Sequence, residues 1–384
     1  MKLIKGMFDE ELNYYRNMAI VTQDDFNDAF IDDFGVTYSK DGKRLLKGVE
    51  VSDYIVIDGT EVICDYAFAD IAIRNIQFPK SLKYIGIKAC NSCSNYTLPN
   101  GLLGIGDEAF SFTETNDQLK IPDSVVFVGK NAFCGAWIMD EVIIGNGLKR
   151  IEEGTFQCVK TNSVVIGSSV KYLGNLAFGD NHFDKIVIPK SVKKIEGNPF
   201  GNNIKRIISL SNAFVVKNNI LYSKDGKKLI CCFSKAKKVV VPNTVVEVHS
   251  FAFTNSKVEN VTLPNSVKTI GWGAFYGAKT KVIRLPNRLK TISKMTFYDS
   301  HIEAIIIPNS VKKIELEAFK GCKSLKSVQM SDNVKEIEDG AFGYCFELEE
   351  INLPKKLKAM GKKVFFCCYK LKECEDELGI NIDK

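Results

Sequence analysis

The 384-residue sequence predicts a β-rich repeat solenoid of the α/β type, with two arrays of about 22–23-residue repeats, each preceded by a β-hairpin module. Three observations carry this. A phenylalanine recurs mostly every 22 or 23 residues, a proline recurs at a fixed place ahead of it, and the polar hexapeptide YSKDGK occurs twice, at 38–43 and 222–227.

The phenylalanine anchors are Phe68, Phe110, Phe133, Phe156, Phe178 and Phe200, with Cys90 standing in one slot. The series resumes at Phe253, Phe275, Phe297, Phe319, Phe342 and Phe365. One repeat, 302–319, shows the logic. Ile302, Ile305 and Ile307 take the inward positions of a short strand, and Glu303, Ala304 and Ile306 the outward ones. Pro308 ends that strand because it has no N–H for a ladder; nine of the ten prolines hold this slot. Asn309 and Ser310 turn the chain, Val311 and Ile314 point back inside, and Ala318-Phe319 plug the coil. So short a unit cannot bury its own apolar face, so stacking on its neighbours closes the core. Thirteen coils at strand spacing predict a rod about 60 Å long.

The hexapeptide belongs to a longer duplication. DAFIDDFGVTYSKDGKRLL, from Asp28, aligns without a gap with NAFVVKNNILYSKDGKKLI, from Asn212. Residues 220–222 read as a strand, Asp225-Gly226 as a hairpin turn and KKLICCF as the returning strand. One glycine per copy does not build a phosphate cradle. The predicted organisation is an N-terminal cap (1–27), a first hairpin module and entry strand (28–67) and a first array (68–211). A second hairpin module (212–252) and a second array with a C-terminal cap (253–384) follow. FDEELNYYRNMA is expected to form one or two helical turns over the open first coil.

At 45% hydrophobic residues the chain can bury a large core, yet no apolar run is long enough to cross a bilayer. Net charge is +6, from 52 basic and 46 acidic residues, too small an excess to call for nucleic acid. The N-terminus lacks the apolar stretch of a signal peptide. The expected location is therefore cytoplasmic, or the cell surface or medium for a chain whose leader has been removed. The twelve cysteines follow the repeat. Cys93, Cys322, Cys345 and Cys368 lie three residues after an anchor, and Cys134, Cys158 and Cys367 one or two after. They read as small apolar repeat residues and free thiols. CCYKLKEC (367–374) lacks a nearby histidine, since His182, His249 and His301 lie elsewhere; no metal or cofactor is expected.

LKSVQMSDNVKEIEDGAFGYC (325–345) and LEEINLPKKLKAMGKKVFFCC (348–368) fit the pattern L-x-x-I-x-I-P-x-S-V-x-x-I-x-x-x-A-F-x-x-C. In these residues the chain resembles the BspA-like leucine-rich repeat proteins, over about 28–368. The resemblance implies a right-handed leucine-rich-repeat superhelix with strands on its concave side. It also implies relatives that serve as surface proteins of bacteria and protists, some binding host matrix proteins such as fibronectin or fibrinogen.

No catalytic constellation emerges. The three histidines form no nucleophile arrangement, and the acids Glu152-Glu153 and Glu349-Glu350 diverge on turns and strands. Two surfaces remain. The first is the outward strand position, where Ile143, Val165 and Val187 form an aliphatic ridge flanked by Glu141 and Lys185; Arg284 and Ile306 hold the position in the second array. It reads either as plain β-propensity or as a protein-binding patch on the concave face. The second is a lysine ladder, Lys83, Lys149, Lys171, Lys193, Lys268, Lys290, Lys312, Lys335 and Lys358. Glu152, Glu196, Glu315 and Glu338, three residues on, are expected to interleave with it. It reads either as a solvated edge or as a polyanion stripe contacted by Lys171, Lys193, Lys268, Lys290 and Lys312. The leading expectation is a monomeric, non-enzymatic protein binder, an adhesin. The alternatives are an intracellular scaffold or a binder of acidic glycan; neither nucleic acid nor membrane insertion is expected.

Overall fold

A computed structural model describes residues 2–181 and 184–371, with side chains described from residue 10 onward. The expected C-terminal cap beyond 371, His182 and Cys374 lie outside the described residues. The chain forms two compact units, Met1–Asn212 and Ala213–Lys384. Among the described residues the only α-helix is Lys2–Met18; the repeats themselves are strands and turns.

Each coil contributes two short parallel strands. The first is the one the proline pattern marks. In the first unit it appears as Leu119–Ile121, Glu141–Ile144 and Ser163–Val165 in one sheet, and as Lys185–Ile188 beside Arg206–Ser209 in another. In the second unit Lys238–Val240, Asn260–Thr262 and Val282–Arg284 pair, as do Ala304–Ile306, Ser327–Gln329 and Glu350–Ile351. The expected facing holds: Ile302, Ile305 and Ile307 are buried, while Glu303, Ala304 and Ile306 are exposed.

The second strand was not apparent from the sequence. Two residues ending in Ile, Val or Leu pair coil to coil after the proline turn, as in Arg150–Ile151, Tyr172–Leu173 and Lys194–Ile195. Thr291–Ile292, Lys313–Ile314, Glu336–Ile337 and Ala359–Met360 form the equivalent sheet in the second unit. Two residues give no alternation to detect, so the segment reads as a turn.

The anchor turns form a third backbone ladder. The Phe297 N–H donates to the Ala318 carbonyl at 2.7 Å, and the Phe319 N–H to Ala341 at 2.7 Å. The rings follow the backbone. Phe110, Phe133, Phe156, Phe178 and Phe200 stack at 5.4–6.3 Å between centroids. Phe253 through Phe365 stack at 4.7–5.7 Å. Most of these separations sit at or just above strand spacing, so the near-parallel rings keep the interval of the backbone ladder.

Around every anchor except Phe200, the residues two before and two after adopt left-handed backbone. Around Phe297 these are Met295 (φ 51°) and Asp299 (φ 51°); around Phe342 they are Gly340 (φ 60°) and Tyr344 (φ 60°). A side chain in this region costs about 1–2 kcal/mol. Glycine is not obligatory because the anchor ladder holds the backbone in place.

Cys90 shows how a missing ring is replaced. Tyr96 stacks on Phe110 at 4.4 Å, in the slot that an anchor phenylalanine would fill, and its hydroxyl hydrogen-bonds Thr113 Oγ1 at 3.1 Å. The cysteines are free thiols among the described residues. Cys322, Cys345 and Cys368 each donate a thiol hydrogen to the carbonyl of Phe297, Phe319 and Phe342 on the preceding coil, at 2.9–3.2 Å.

The duplicated hexapeptide builds the same turn twice. Ser39 Oγ donates to Asp41 at 2.7 Å and accepts the Arg44 N–H at 3.0 Å; Ser223 does likewise with Asp225 (2.6 Å) and Lys228 (2.9 Å). Gly42 (φ 69°) and Gly226 (φ 70°) supply the left-handed corner. Each turn closes a three-stranded antiparallel meander, Phe30–Ile31, Thr37–Tyr38 and Arg44–Lys47, or Phe214–Lys217, Ile220–Ser223 and Lys228–Cys232. The last strand of each then pairs in parallel with the first two-residue strand, Val62–Ile63 or Glu247–Val248. The meander is the starting edge of the second ladder. That is why the motif is needed once per unit.

The N-terminal segment differs from expectation. Rather than one or two turns over the end of the first coil, it is a 17-residue helix lying on the flank of the second ladder. Leu12, Tyr15 and Met18 pack with Val62, Tyr84 and Phe127, and Arg16 lies over the Phe127 ring at 5.0 Å. Gly104 admits the helix, since a Cβ there would sit 2.6 Å from Leu12 Cδ1. Arg44 caps its end through the carbonyls of Met18 (2.7 Å) and Ile20 (2.8 Å).

Two outcomes follow for thermal or denaturant unfolding. Cys90→Phe restores the repeat yet destabilises by about 1–3 kcal/mol, because Tyr96 already fills the slot. Gly340→Ala loses about 1 kcal/mol, whereas Lys363→Gly, at the same left-handed position one coil on, gains up to about 1 kcal/mol.

Candidate functional site

Three surfaces arise because a residue type repeated at one position is stacked into a column. The first is the aliphatic ridge. Ile143 is in register with Val165, and Val187 with Ile208. Val165 is 48% exposed, while Ile143, Val187 and Ile208 are half-buried. Glu141 faces Ser163, which donates to it at 2.5 Å, and Lys185 faces Arg206. The ridge thus has an acidic-polar rim on two coils and a basic rim on two others. Ile208 was missed because RIISL (206–210) lacks the proline that marks other strands. Arg284 and Ile306 lie on the first-strand ladders of the second unit, Ile306 being 68% exposed beside Gln329.

The second is the lysine column, and here the expected pairing with acids fails. Backbone bonds place Lys149, Lys171 and Lys193 on consecutive coils, and likewise Lys290, Lys312, Lys335 and Lys358. The four acids are committed elsewhere. Glu152 binds Arg150 at 2.6 Å, Glu196 lies 3.6 Å from Lys194, and Glu338 binds Lys313 at 2.6 Å. Glu315 accepts the Lys294 N–H at 2.9 Å. The reason is position: these acids follow the two-residue strands, beside the outward cations of those strands and one turn away from the lysine column. Tyr172, held between Arg150 (3.8 Å from ring to guanidinium) and Lys194, donates to Glu196 at 2.6 Å. Burial, reinforced by Glu196, pushes its pKa up to about 12. At 5 Å, two ammonium charges repel by about 0.8 kcal/mol in bulk water, so an unpaired column is a standing positive field.

The third surface lies on the anchor turns of the second unit and was not singled out in the sequence. Tyr276 stacks on Tyr298 at 5.0 Å, and Phe346 on Tyr369 at 5.9 Å. Lys320 sits between Tyr298 and Tyr344, 5.8 and 5.7 Å from their centroids, over a shallow depression of about 380 Å³. The signal was present: FYGAK, FYDS, FGYCF and FFCCY put aromatics just after the anchor, where the first array has FADIA, FQCV and FGDN.

Among the described residues no group of three or more His, Cys, Asp or Glu is placed to hold a metal ion. His249 contacts Glu247 at 3.2 Å, and Glu247 also binds Lys228 at 3.0 Å.

A family profile described as a BspA type leucine rich repeat region matches in six copies, over residues 44–96, 87–206, 229–301 and 290–381. No curated protein matches significantly. Solved structures of similar fold include a leucine rich cell surface protein from Faecalibacterium prausnitzii, 22% identical, with a TM-score of 0.68 over 84% of this chain and 92% of that one. A leucine-rich repeat protein from Eubacterium ventriosum is 20% identical, with a TM-score of 0.57 over 85% and 93%. The pneumococcal vaccine antigen PcpA is 19% identical, with a TM-score of 0.54 over 89% and 93%.

Proposed function

The chain belongs to the BspA-type leucine-rich repeat family, and from that premise we propose that it is a non-enzymatic adhesin, displayed at a cell surface, that holds a host matrix protein on its first-strand face. The observation that carries this reading is the ridge Ile143–Val165–Val187–Ile208. Four branched side chains on consecutive coils, rimmed by Glu141, Lys185 and Arg206, have the apolar centre and charged border of a protein interface. β-propensity alone does not call for four in a row, since elsewhere the same column mixes Ile55, Val240 and Ile306 with Gln77, Lys120, Thr262, Arg284 and Gln329. A similar fold in a protein described as a cell surface protein supports the location.

The test is binding to immobilised fibronectin and fibrinogen, read by interferometry beside thermal unfolding. Val165→Asp with Val187→Asp should weaken binding at least tenfold, with Tm held within about 2–4 °C because neither side chain is in the core. Undiminished binding by this variant, or loss on Tyr344→Ala with Tyr369→Ala instead, would remove the ridge from the reading.

A further inference from the structure

In a stacked repeat, cations and anions are both column properties, so charge pairing is settled column by column. Outward cations along the second ladder have partners: Arg44 with Asp25, Arg150 with Glu152, Lys194 with Glu196, Lys228 with Glu247, and Lys313 with Glu336 and Glu338. The turn column one residue away behaves in the opposite manner. Among the described residues none of Lys83, Lys149, Lys171, Lys193, Lys268, Lys290, Lys312, Lys335 and Lys358 has a carboxylate within 4.0 Å. Lys335 instead donates to the Asp332 carbonyl at 3.1 Å. A solvated edge that merely deters aggregation would tolerate interleaved acids. Here the acids are drawn to the neighbouring column and the lysines are left without a carboxylate partner.

We propose that Lys290, Lys312, Lys335 and Lys358, with Lys268 at the equivalent position of an earlier coil, form a docking stripe for a linear acidic polysaccharide laid along the stacking direction. One ammonium per coil in single file matches a polymer with anionic groups at regular intervals. Exposed Asn265, Asn287 and Asn309 lie on the same turns, three residues before Lys268, Lys290 and Lys312, and offer amides to sugar hydroxyls. Nucleic acid fits less well, because the exposed aromatic rings of this unit sit on the anchor turns, away from the lysine turns, where bases could not stack while phosphates met the stripe. This ligand and surface are separate from the ridge and its protein partner.

The experiment compares two variants of equal net charge in the full chain, titrated with a heparin hexasaccharide at several salt concentrations. Stripe variant Lys290→Gln, Lys312→Gln, Lys335→Gln should lose at least tenfold in affinity. The slope of log K against log salt should fall by about one per lysine removed. Control variant Lys194→Gln, Lys228→Gln, Lys313→Gln, which removes paired cations, should lose less than threefold. Thermal melts of both report folding. Equal losses in the two variants would reduce the effect to overall charge and overturn the stripe. Absence of hexasaccharide binding by the unaltered protein would overturn it as well, as would equally tight binding of a charge-matched oligothymidylate, which would reassign the stripe to nucleic acid.

Discussion

Adjacent coils share backbone N–H to carbonyl hydrogen bonds through the proline-marked strand, the two-residue strand and the anchor turn. This hydrogen bonding fixes the interval between coils near strand spacing and brings equivalent sequence positions face to face. The phenylalanine stack, the thiol-to-carbonyl bonds of Cys322, Cys345 and Cys368, and the charged and aromatic columns are consequences of that one spacing. Side chains tune what the backbone has already aligned.

The constraint also explains the tolerance of unfavourable geometry. Left-handed residues flank almost every anchor, and Lys, Glu, Met and Tyr occupy them as readily as Gly. In an isolated turn such residues would shift the backbone. Here the anchor ladder on both sides and a buried ring between them hold it, so the strain is distributed over many coils.

What could be read from the sequence was whatever a repeat writes in distinctive letters. Phenylalanine and proline spacing gave the coil, its first strand and its facing, and YSKDGK gave a hairpin whose turn is the same in both copies. Features specified by backbone alone escaped: the two-residue strands lack alternation, and the left-handed pairs lack a glycine signature. The flanking helix escaped for another reason. Its docking depends on Gly104, Tyr84 and Phe127, far along the chain from Leu12 and Arg16. At the candidate surfaces, columns were legible but partners were not. Sequence distance suggested that Glu196 and Glu338 would neutralise Lys193 and Lys335, whereas outward geometry gives them to Lys194 and Lys313.

Nearest-neighbour closure has a mechanical corollary. Away from the coils that the N-terminal helix spans, a coil is bound only to the one before and the one after, by short strands and an anchor turn, so tension along the polypeptide would peel such coils singly and leave the rest seated. Every coil released would yield about 75 Å of contour length. Such a chain would lengthen in steps under a pull, one coil at a time.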